Sequence, residues 1–196
     1  MLDFSNSKIL IVGDVMLDKY YFGKVDRISP EAPVPIVNIQ KEESRLGGAS
    51  NVANNIVSLG GHSLLCGVIG HDLFGKEIER ISRHKNIDTF LLKTSSPTIT
   101  KARIIGGKQQ IVRVDYEDKS ELNADNKKLF RDTISRILPE YDILVISDYG
   151  KGLISEDLCR YLIKLAHKYD KKVIIDPKGK NWEKYSGADI VTPNVK

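Results

Sequence analysis

Cysteine and long apolar runs are both scarce in this sequence. The 196 residues include two cysteines, Cys66 and Cys159, which lie far apart, each inside an apolar segment. There is no C-x-x-C pair and no disulfide-rich composition, so we expect two reduced core thiols in a reducing compartment. No apolar run approaches the about 20 residues that a membrane span needs, and no signal-peptide pattern is evident. We therefore predict a cytoplasmic protein that does not enter the membrane.

Clustered charge of one sign is also missing. Thirty basic and 26 acidic residues give a net charge of +4. The basic residues are scattered, with only short pairs such as Lys127-Lys128 and Lys171-Lys172. Nucleic-acid-binding proteins concentrate basic charge on one face or in a run, so we predict no nucleic-acid partner. The four histidines lack metal-ligand spacing to one another or to cysteine, and we predict no metal site built from protein ligands alone.

What the sequence does contain is an alternation of short apolar runs and helix-like segments. The runs are Ile9–Val12, Leu64–Ile69, Ile143–Ile146, Val173–Ile175 and Ile190-Val191. The segments with helical periodicity are Ala49–Leu59, Leu73–His84, Asn123–Leu138 and Ser155–Lys168. Continuous apolar runs are typical of strands buried on both faces. The alternation predicts one α/β domain over residues 1–196, with a doubly wound, mainly parallel sheet.

Two segments interrupt this alternation, at about residues 20–41 and 98–115. The first carries Pro30, Pro33 and Pro35, which argue against a helix. The second has two extended runs around Gly106-Gly107 and predicts a β-hairpin. Together they predict a small second sheet that could act as a β-lid over the site or as a homodimer surface. An ordinary edge hairpin explains the pattern equally well.

Polar residues follow the predicted strands at Asp14, Gly70, Asp148, Asp176 and Asn194. In an open α/β sheet, ligands bind beyond the carboxyl ends of the strands. Carboxylates accept hydrogen bonds from hydroxyl groups, Mg²⁺ prefers oxygen ligands, and glycine lets a phosphate approach the backbone. These residues therefore suit sugar hydroxyls, phosphates and Mg²⁺.

Three glycine-containing motifs require separate interpretations. Gly47-Gly48-Ala49-Ser50-Asn51 opens a helix whose N–H groups could bind ligand oxygens, although a plain glycine turn is as good an explanation. The segment Gly70–Glu77 nearly matches a P-loop, but Glu77 replaces the required hydroxyl, so we assign its glycines to a turn. Gly187-Ala188-Asp189 precedes a strand, so Asp189 lies at the opposite edge of the sheet and is interpreted as a structural turn residue.

Lys101 and Arg103 lie two residues apart in the predicted hairpin, so their side chains point to one face of a strand. On a lid that faces the site, this pair could hold a phosphate already present on the substrate. Solvated strand charges are the alternative.

These motifs resemble those of the ribokinase-like (PfkB) carbohydrate kinases. The similar segments are Val12–Asp18, Gly47–Ala53, Gly67–Gly75 and Thr192–Asn194. Within this family, three further segments resemble the branch that phosphorylates D-glycero-D-manno-heptose 7-phosphate, namely Arg27–Pro35, Asp148–Gly152 and Asp176–Gly179. The resemblance covers essentially the whole chain.

The resemblance implies transfer of the ATP γ-phosphoryl group to the anomeric hydroxyl of heptose 7-phosphate, with ATP and Mg²⁺ as cofactors. The product is the 1,7-bisphosphate, used for ADP-heptose and lipopolysaccharide core synthesis. The implied sugar-binding residues are Asp14, Asp18, Gly47, Gly48 and Asn51, with Lys101 and Arg103 proposed for the 7-phosphate. The implied ATP and Mg²⁺ residues are Asp148, Lys151, Lys178 and Asn194.

The family's Gly-Ala-Gly-Asp segment, which carries the catalytic Asp, is not found among the 196 residues. We therefore expect an N-terminal part of a kinase domain, with the catalytic Asp beyond Lys196 and little activity in this chain alone. Two alternatives stay open. One is a ribokinase-like kinase of another sugar, and the other is a non-catalytic fragment that binds sugar phosphate or dimerises.

Overall fold

The computed structural model describes residues 3–194, which fold into ten strands and four α-helices. In chain order the strands are β1 (Lys8–Gly13), β2 (Val15–Ile28), β3 (Pro35–Gly48), β4 (His62–Gly70), β5 (Asp88–Thr94), β6 (Thr100–Gly106), β7 (Gln109–Tyr116), β8 (Ile143–Ser147), β9 (Lys172–Asp176) and β10 (Ile190–Val191). The α-helices are α1 (Ala49–Ser58), α2 (Leu73–His84), α3 (Ala124–Ile137) and α4 (Glu156–Lys168).

The main sheet has six parallel strands in the order β10-β9-β8-β1-β4-β5. The predicted fold class is confirmed, and each of the five predicted apolar runs lies in a strand of this sheet. Sequence analysis missed β5, whose short apolar run Phe90–Leu92 is flanked by the polar residues Asp88, Thr89 and Lys93 and is only partly buried.

The core consists of two layers, one on each face of the main sheet. Phe130, Ile134 and Leu162 pack with Leu10 and other strand residues on one face. The helices α1 and α2 cover the opposite face. All four predicted helices are confirmed, and α3 and α4 begin after the capping side chains Asn123 and Ser155, which accept backbone N–H bonds.

The second sheet has four strands in the order β3-β2-β6-β7. The strands β2 and β3 form a long antiparallel ribbon that begins at Val15 and ends at Gly48, beyond both ends of the predicted extended segment. The predicted hairpin forms from β6 and β7, with Gly107 at φ 62° in the turn. The action of this sheet as a lid remains a prediction.

Both cysteines are buried and unbonded to one another. Burial raises the pKa of both thiols, that of Cys159 to about 11, so each is held as a protonated core thiol. This confirms their predicted structural role. No helix within residues 3–194 has the length and apolar character that crossing a membrane requires.

Candidate active site

The glycine pair before α1 forms a tight junction between the two sheets. Gly48 has φ 55°, and a Cβ atom there would lie 2.4 Å from the carbonyl oxygen of Asp14. A Cβ atom on Gly47 would lie 2.5 Å from the carboxylate of Asp18. The Ser50 hydroxyl donates to the carbonyl oxygen of Gly47 at 2.6 Å. Glycine is required at position 48 by the positive φ and the backbone contact, whereas a side chain at position 47 would need the Asp18 carboxylate to move.

Strand pairing in the second sheet gathers charged side chains around Asp18. In register, Asp18 lies opposite Arg45 on β3 and Lys101 on β6. Arg103 is two residues further along β6, and its Nη1 lies 2.6 Å from Asp18 Oδ1. Residues two apart on a strand share a face, so these side chains form one charged surface.

This surface and the start of α1 enclose a cleft of about 730 Å³. Six of the seven predicted substrate-binding residues line it, namely Asp18, Gly47, Gly48, Asn51, Lys101 and Arg103. The lining also includes Arg45, Lys85, Glu43 and Tyr149, which sequence analysis did not assign to the site. Four basic side chains therefore face two acidic ones, so the cleft is suited to an anionic ligand.

Asp14 is the seventh predicted residue, and its position differs from that of the other six. It is 2% exposed, and its Oδ2 accepts the backbone N–H groups of Tyr149 at 2.8 Å and Lys151 at 3.1 Å. Burial raises the pKa of its carboxyl group, against the lowering effect of these N–H donors. The structure does not bring Asp14 into this cleft, and its contacts instead anchor the loop after β8.

Asp148, predicted at the ATP end, is also buried with its oxygens engaged. Its Oδ1 accepts the N–H of Gly150 at 2.8 Å, and its Oδ2 accepts bonds from Lys184 Nζ at 2.5 Å and the Tyr185 hydroxyl at 2.7 Å. Burial and the bond to Asp148 raise the pKa of Tyr185. In this geometry the carboxylate of Asp148 organises the surrounding loops and has little surface open to a ligand.

The other residues predicted at the ATP end have separate surroundings. Lys151 pairs with Glu117, and this partner lowers the pKa of the Glu117 carboxyl group. Lys151 and Asp14 both line a second cavity of about 240 Å³, which has no lining residue in common with the first cleft. Lys178 and Asn194 are exposed, Lys178 after β9 and Asn194 after β10, at the carboxyl edge of the sheet.

The segment Gly70–Glu77 forms the turn that the sequence predicted, and the structure adds a carboxylate, that of Asp72, which holds this turn together. Asp72 caps α2 by accepting the N–H of Gly75 at 2.8 Å. The same carboxylate accepts bonds from the N–H and hydroxyl groups of Thr98, at 2.8 and 2.7 Å. A carboxylate therefore occupies the helix end where a P-loop would hold phosphate.

Asp189 lies at the amino edge of the sheet and ties the start of β9 to β10. It accepts bonds from Lys172 Nζ at 2.8 Å and from the N–H of Val173 at 2.9 Å. These bonds hold the pKa of its carboxyl group well below the ordinary range. Its interpretation as a structural turn residue is consistent with these contacts.

Comparison with known proteins identifies the family. The pfkB family of carbohydrate kinases matches residues 6–196, so the chain belongs to this family of sugar kinases. The chain is 48% identical over 189 residues to the bifunctional protein HldE of Helicobacter pylori, covering 95% of this chain and 41% of that protein. It is 45% identical over 191 residues to the D-beta-D-heptose 7-phosphate kinase of Bordetella bronchiseptica, covering 97% of this chain and 60% of that enzyme.

Solved structures share the fold at low sequence identity. A putative phosphofructokinase from Staphylococcus aureus matches with a TM-score of 0.77 and 14% identity, over 95% of this chain and 58% of that one. A possible 1-phosphofructokinase from Thermotoga maritima matches with a TM-score of 0.74 and 22% identity, over 95% and 60%. These matches support the ribokinase-like architecture. The chain spans 41% to 60% of the length of the two sequence relatives.

Proposed function

We propose that the chain is the sugar-phosphate-binding part of a kinase that acts on D-glycero-D-manno-heptose 7-phosphate. The observation that carries this proposal is the cleft in which Asp18, Asn51, Lys101 and Arg103 meet, with four basic side chains against two acidic ones. A phosphosugar requires hydroxyl acceptors and a cationic phosphate site in the same cleft. The choice of heptose 7-phosphate is supported by the similarity to the D-beta-D-heptose 7-phosphate kinase of Bordetella bronchiseptica.

The proposed reaction transfers the γ-phosphoryl group of ATP to the anomeric hydroxyl and gives the 1,7-bisphosphate. Asp18 and Asn51 would hold sugar hydroxyls, and the glycine pair would allow the sugar to approach the backbone. In phosphoryl transfer the protein contributes positioning and charge stabilisation. The buried Asp14 would act here by holding the loop at Tyr149 and Lys151, without touching the sugar.

ATP and Mg²⁺ would bind at the carboxyl ends of β9 and β10, where Lys178 and Asn194 are exposed. Within residues 3–194 no three His, Cys, Asp or Glu side chains form a metal group. In phosphoryl-transfer sites Mg²⁺ usually retains several waters and is held by one or two carboxylates together with the substrate phosphates. When bound, Mg²⁺ would neutralise charge on the phosphates, while Lys178 would contribute a positive charge beside them.

We expect little or no turnover from this chain alone, because no Gly-Ala-Gly-Asp segment occurs in its sequence. The similar Gly187-Ala188-Asp189 lies at the wrong edge of the sheet and its carboxylate is already bonded. A general base is needed to take the proton from the attacking hydroxyl. A turnover assay with heptose 7-phosphate and Mg-ATP tests this, and a rate typical of a complete kinase would refute it.

The second sheet would also form a homodimer surface. Val25, Ile28, Val34 and Ile39 on the β2–β3 ribbon are each at least 39% exposed. Apolar patches on a soluble domain mark interaction surfaces. Light scattering coupled to size exclusion should give twice the chain mass, and replacing Val34 and Ile39 by Ser should return a monomer. A wild-type monomer at high concentration would contradict this assignment.

Isothermal titration with heptose 7-phosphate, and separately with Mg-ATP, tests the proposed substrate. Binding of the heptose phosphate in preference to ribose, fructose and fructose 6-phosphate is expected. Preference for one of the other sugars would identify a different ribokinase-like kinase. Binding without turnover would be the result expected of a non-catalytic sugar-phosphate-binding chain.

A further inference from the structure

The ring of Tyr20 lies between two arginine side chains on the cleft-facing surface of the second sheet. The guanidinium carbon of Arg45 is 4.8 Å from the ring centroid, and that of Arg103 is 5.2 Å from it. Tyr20 is two residues after Asp18 on β2, so its side chain is on the same face as the charged surface of the cleft. Cations within about 6 Å of an aromatic ring are attracted to its face.

Each arginine is also held by one carboxylate. Arg103 Nη1 lies 2.6 Å from Asp18 Oδ1, and Arg45 Nη2 lies 2.8 Å from Glu43 Oε2. A guanidinium group has five N–H donors in a fixed plane, so these ion pairs leave further donors available. The ring and the carboxylates together fix where those donors lie.

We propose that Tyr20 is a positioning residue that holds Arg45 and Arg103 as two sides of a subsite for the phosphate of the sugar substrate. This inference rests on the proposed function and deepens it by defining the phosphate end of the cleft. Lys101, opposite Asp18 on β6, supplies a third positive charge at the same surface. Arg45 and Tyr20 are additions to the pair that the sequence pattern suggested.

A phosphate monoester fits this arrangement better than a neutral hydroxyl group does. Arginine binds phosphate through parallel N–H bonds, whereas lysine acts as a point charge. The charge of each acidic side chain of the cleft is balanced by an arginine, Asp18 by Arg103 through Oδ1 and Glu43 by Arg45, while Oδ2 of Asp18 stays available to a sugar hydroxyl. Neither Lys85 nor Lys101 forms an ion pair with any residue in the 3–194 range, so the uncompensated charge of the cleft is positive.

The test measures binding to the intact chain by isothermal titration with three probes: heptose 7-phosphate, the unphosphorylated heptose and inorganic phosphate. The variants are Tyr20→Leu, Tyr20→Phe and Arg45→Gln. Tyr169→Leu is the matched control, because Tyr169 is an exposed tyrosine at the end of α4 that also has a lysine over its ring, at 5.6 Å. Circular dichroism confirms that each variant is folded.

Tyr20→Leu should weaken heptose 7-phosphate binding by up to roughly five- to thirtyfold, because binding must then order two arginines that each lose about 0.5–1 kcal/mol of cation–π attraction. Arg45→Gln should weaken it at least about tenfold, because a charge-assisted bond is lost. Tyr20→Phe keeps the ring and should bind like the wild type. Binding of the unphosphorylated heptose should be unchanged in every variant, which a general loss of structure would not produce.

Three results would overturn the subsite. They are equal binding of heptose 7-phosphate by wild type and Tyr20→Leu, equal losses in Tyr20→Leu and Tyr20→Phe, or equal wild-type affinity for the phosphorylated and unphosphorylated heptose. Binding of inorganic phosphate that Arg45→Gln weakens, without any response to heptose 7-phosphate, would support the subsite and refute the proposed substrate. Binding of none of the probes by folded wild-type protein would refute both.

Discussion

Replacing Asp14 by alanine should lower the free energy of unfolding by about 2–4 kcal/mol. The change leaves the N–H groups of Tyr149 and Lys151 without their acceptor, and an unsatisfied buried donor costs about 1–3 kcal/mol. Removing a buried carboxylate, whose pKa is raised by burial, returns part of that cost. Asp14→Asn keeps an acceptor oxygen of the same shape, and we expect a loss of about 1 kcal/mol.

Urea unfolding followed by circular dichroism measures these differences, provided that the transition is two-state. Asp142→Ala is a suitable control, because the exposed Asp142 carboxylate accepts one backbone N–H, that of Lys8, at 2.8 Å. Its loss should cost at most about 1 kcal/mol. Equal unfolding free energies for Asp14→Ala and Asp14→Asn would refute the assignment of Asp14 as the anchor of this loop.

The same variants separate two roles for Asp14 in binding. If Asp14 only anchors the loop, the affinity of Asp14→Asn for heptose 7-phosphate should be within about threefold of the wild-type affinity, because the loop stays in place. As a direct sugar ligand, the same change should weaken binding by about tenfold or more, because a charged acceptor to a hydroxyl is lost. A large affinity loss with unchanged stability would therefore restore the role that the sequence pattern first implied.

Two further substitutions test the turn geometry and the pH dependence. Gly48→Ala should destabilise the protein by about 3 kcal/mol, because alanine would have to adopt a positive φ and would clash with the Asp14 carbonyl oxygen. Gly107 has a similar φ but open space around it, so Gly107→Ala should cost about 1 kcal/mol. Equal urea midpoints for the two variants would contradict this difference. Because the folded pKa of Asp189 is lowered from 3.8, its contribution to stability is present above that pH and is lost as the pH falls below it. The difference in unfolding free energy between wild type and Asp189→Asn should therefore become smaller as the pH falls below 3.8. A difference that does not change with pH would refute a stabilising role of the Asp189 carboxylate.

Local signals were sufficient to predict most of the fold. The predicted helix Leu73–His84 matches α2 residue for residue, because its apolar period and capping aspartate are adjacent in sequence. The continuous apolar runs predicted the central strands, because each run is also a signal between neighbouring residues in the sequence. The strand β5 was missed, although it contains the apolar run Phe90–Leu92, because this run is short, partly buried and flanked by Asp88, Thr89 and Lys93.

Six of the predicted substrate-binding residues line one cleft, because they follow strand ends or share a strand face; the function of this cleft remains a prediction. The sequence could not show that Asp14 and Asp18 have different surroundings, because the burial of Asp14 depends on a loop about 135 residues later in the chain. Arg45 was missed because its place opposite Asp18 depends on the register of a ribbon with bulges at Phe22 and Val25. Register and long-range loop contacts are not encoded in a local pattern.

Asp14 links the two ends of the site, and this link is itself testable. Its carbonyl oxygen accepts the N–H of Ala49 at the start of α1, while its carboxylate holds the loop that follows β8. Side-chain replacement removes only the second contact. In hydrogen exchange, Asp14→Ala should therefore speed exchange of the Tyr149 and Lys151 amides and leave that of Ala49 nearly unchanged. Equal acceleration at all three amides would mean that the substitution opens the whole junction, and that the carboxylate does not control the loop separately from the start of α1.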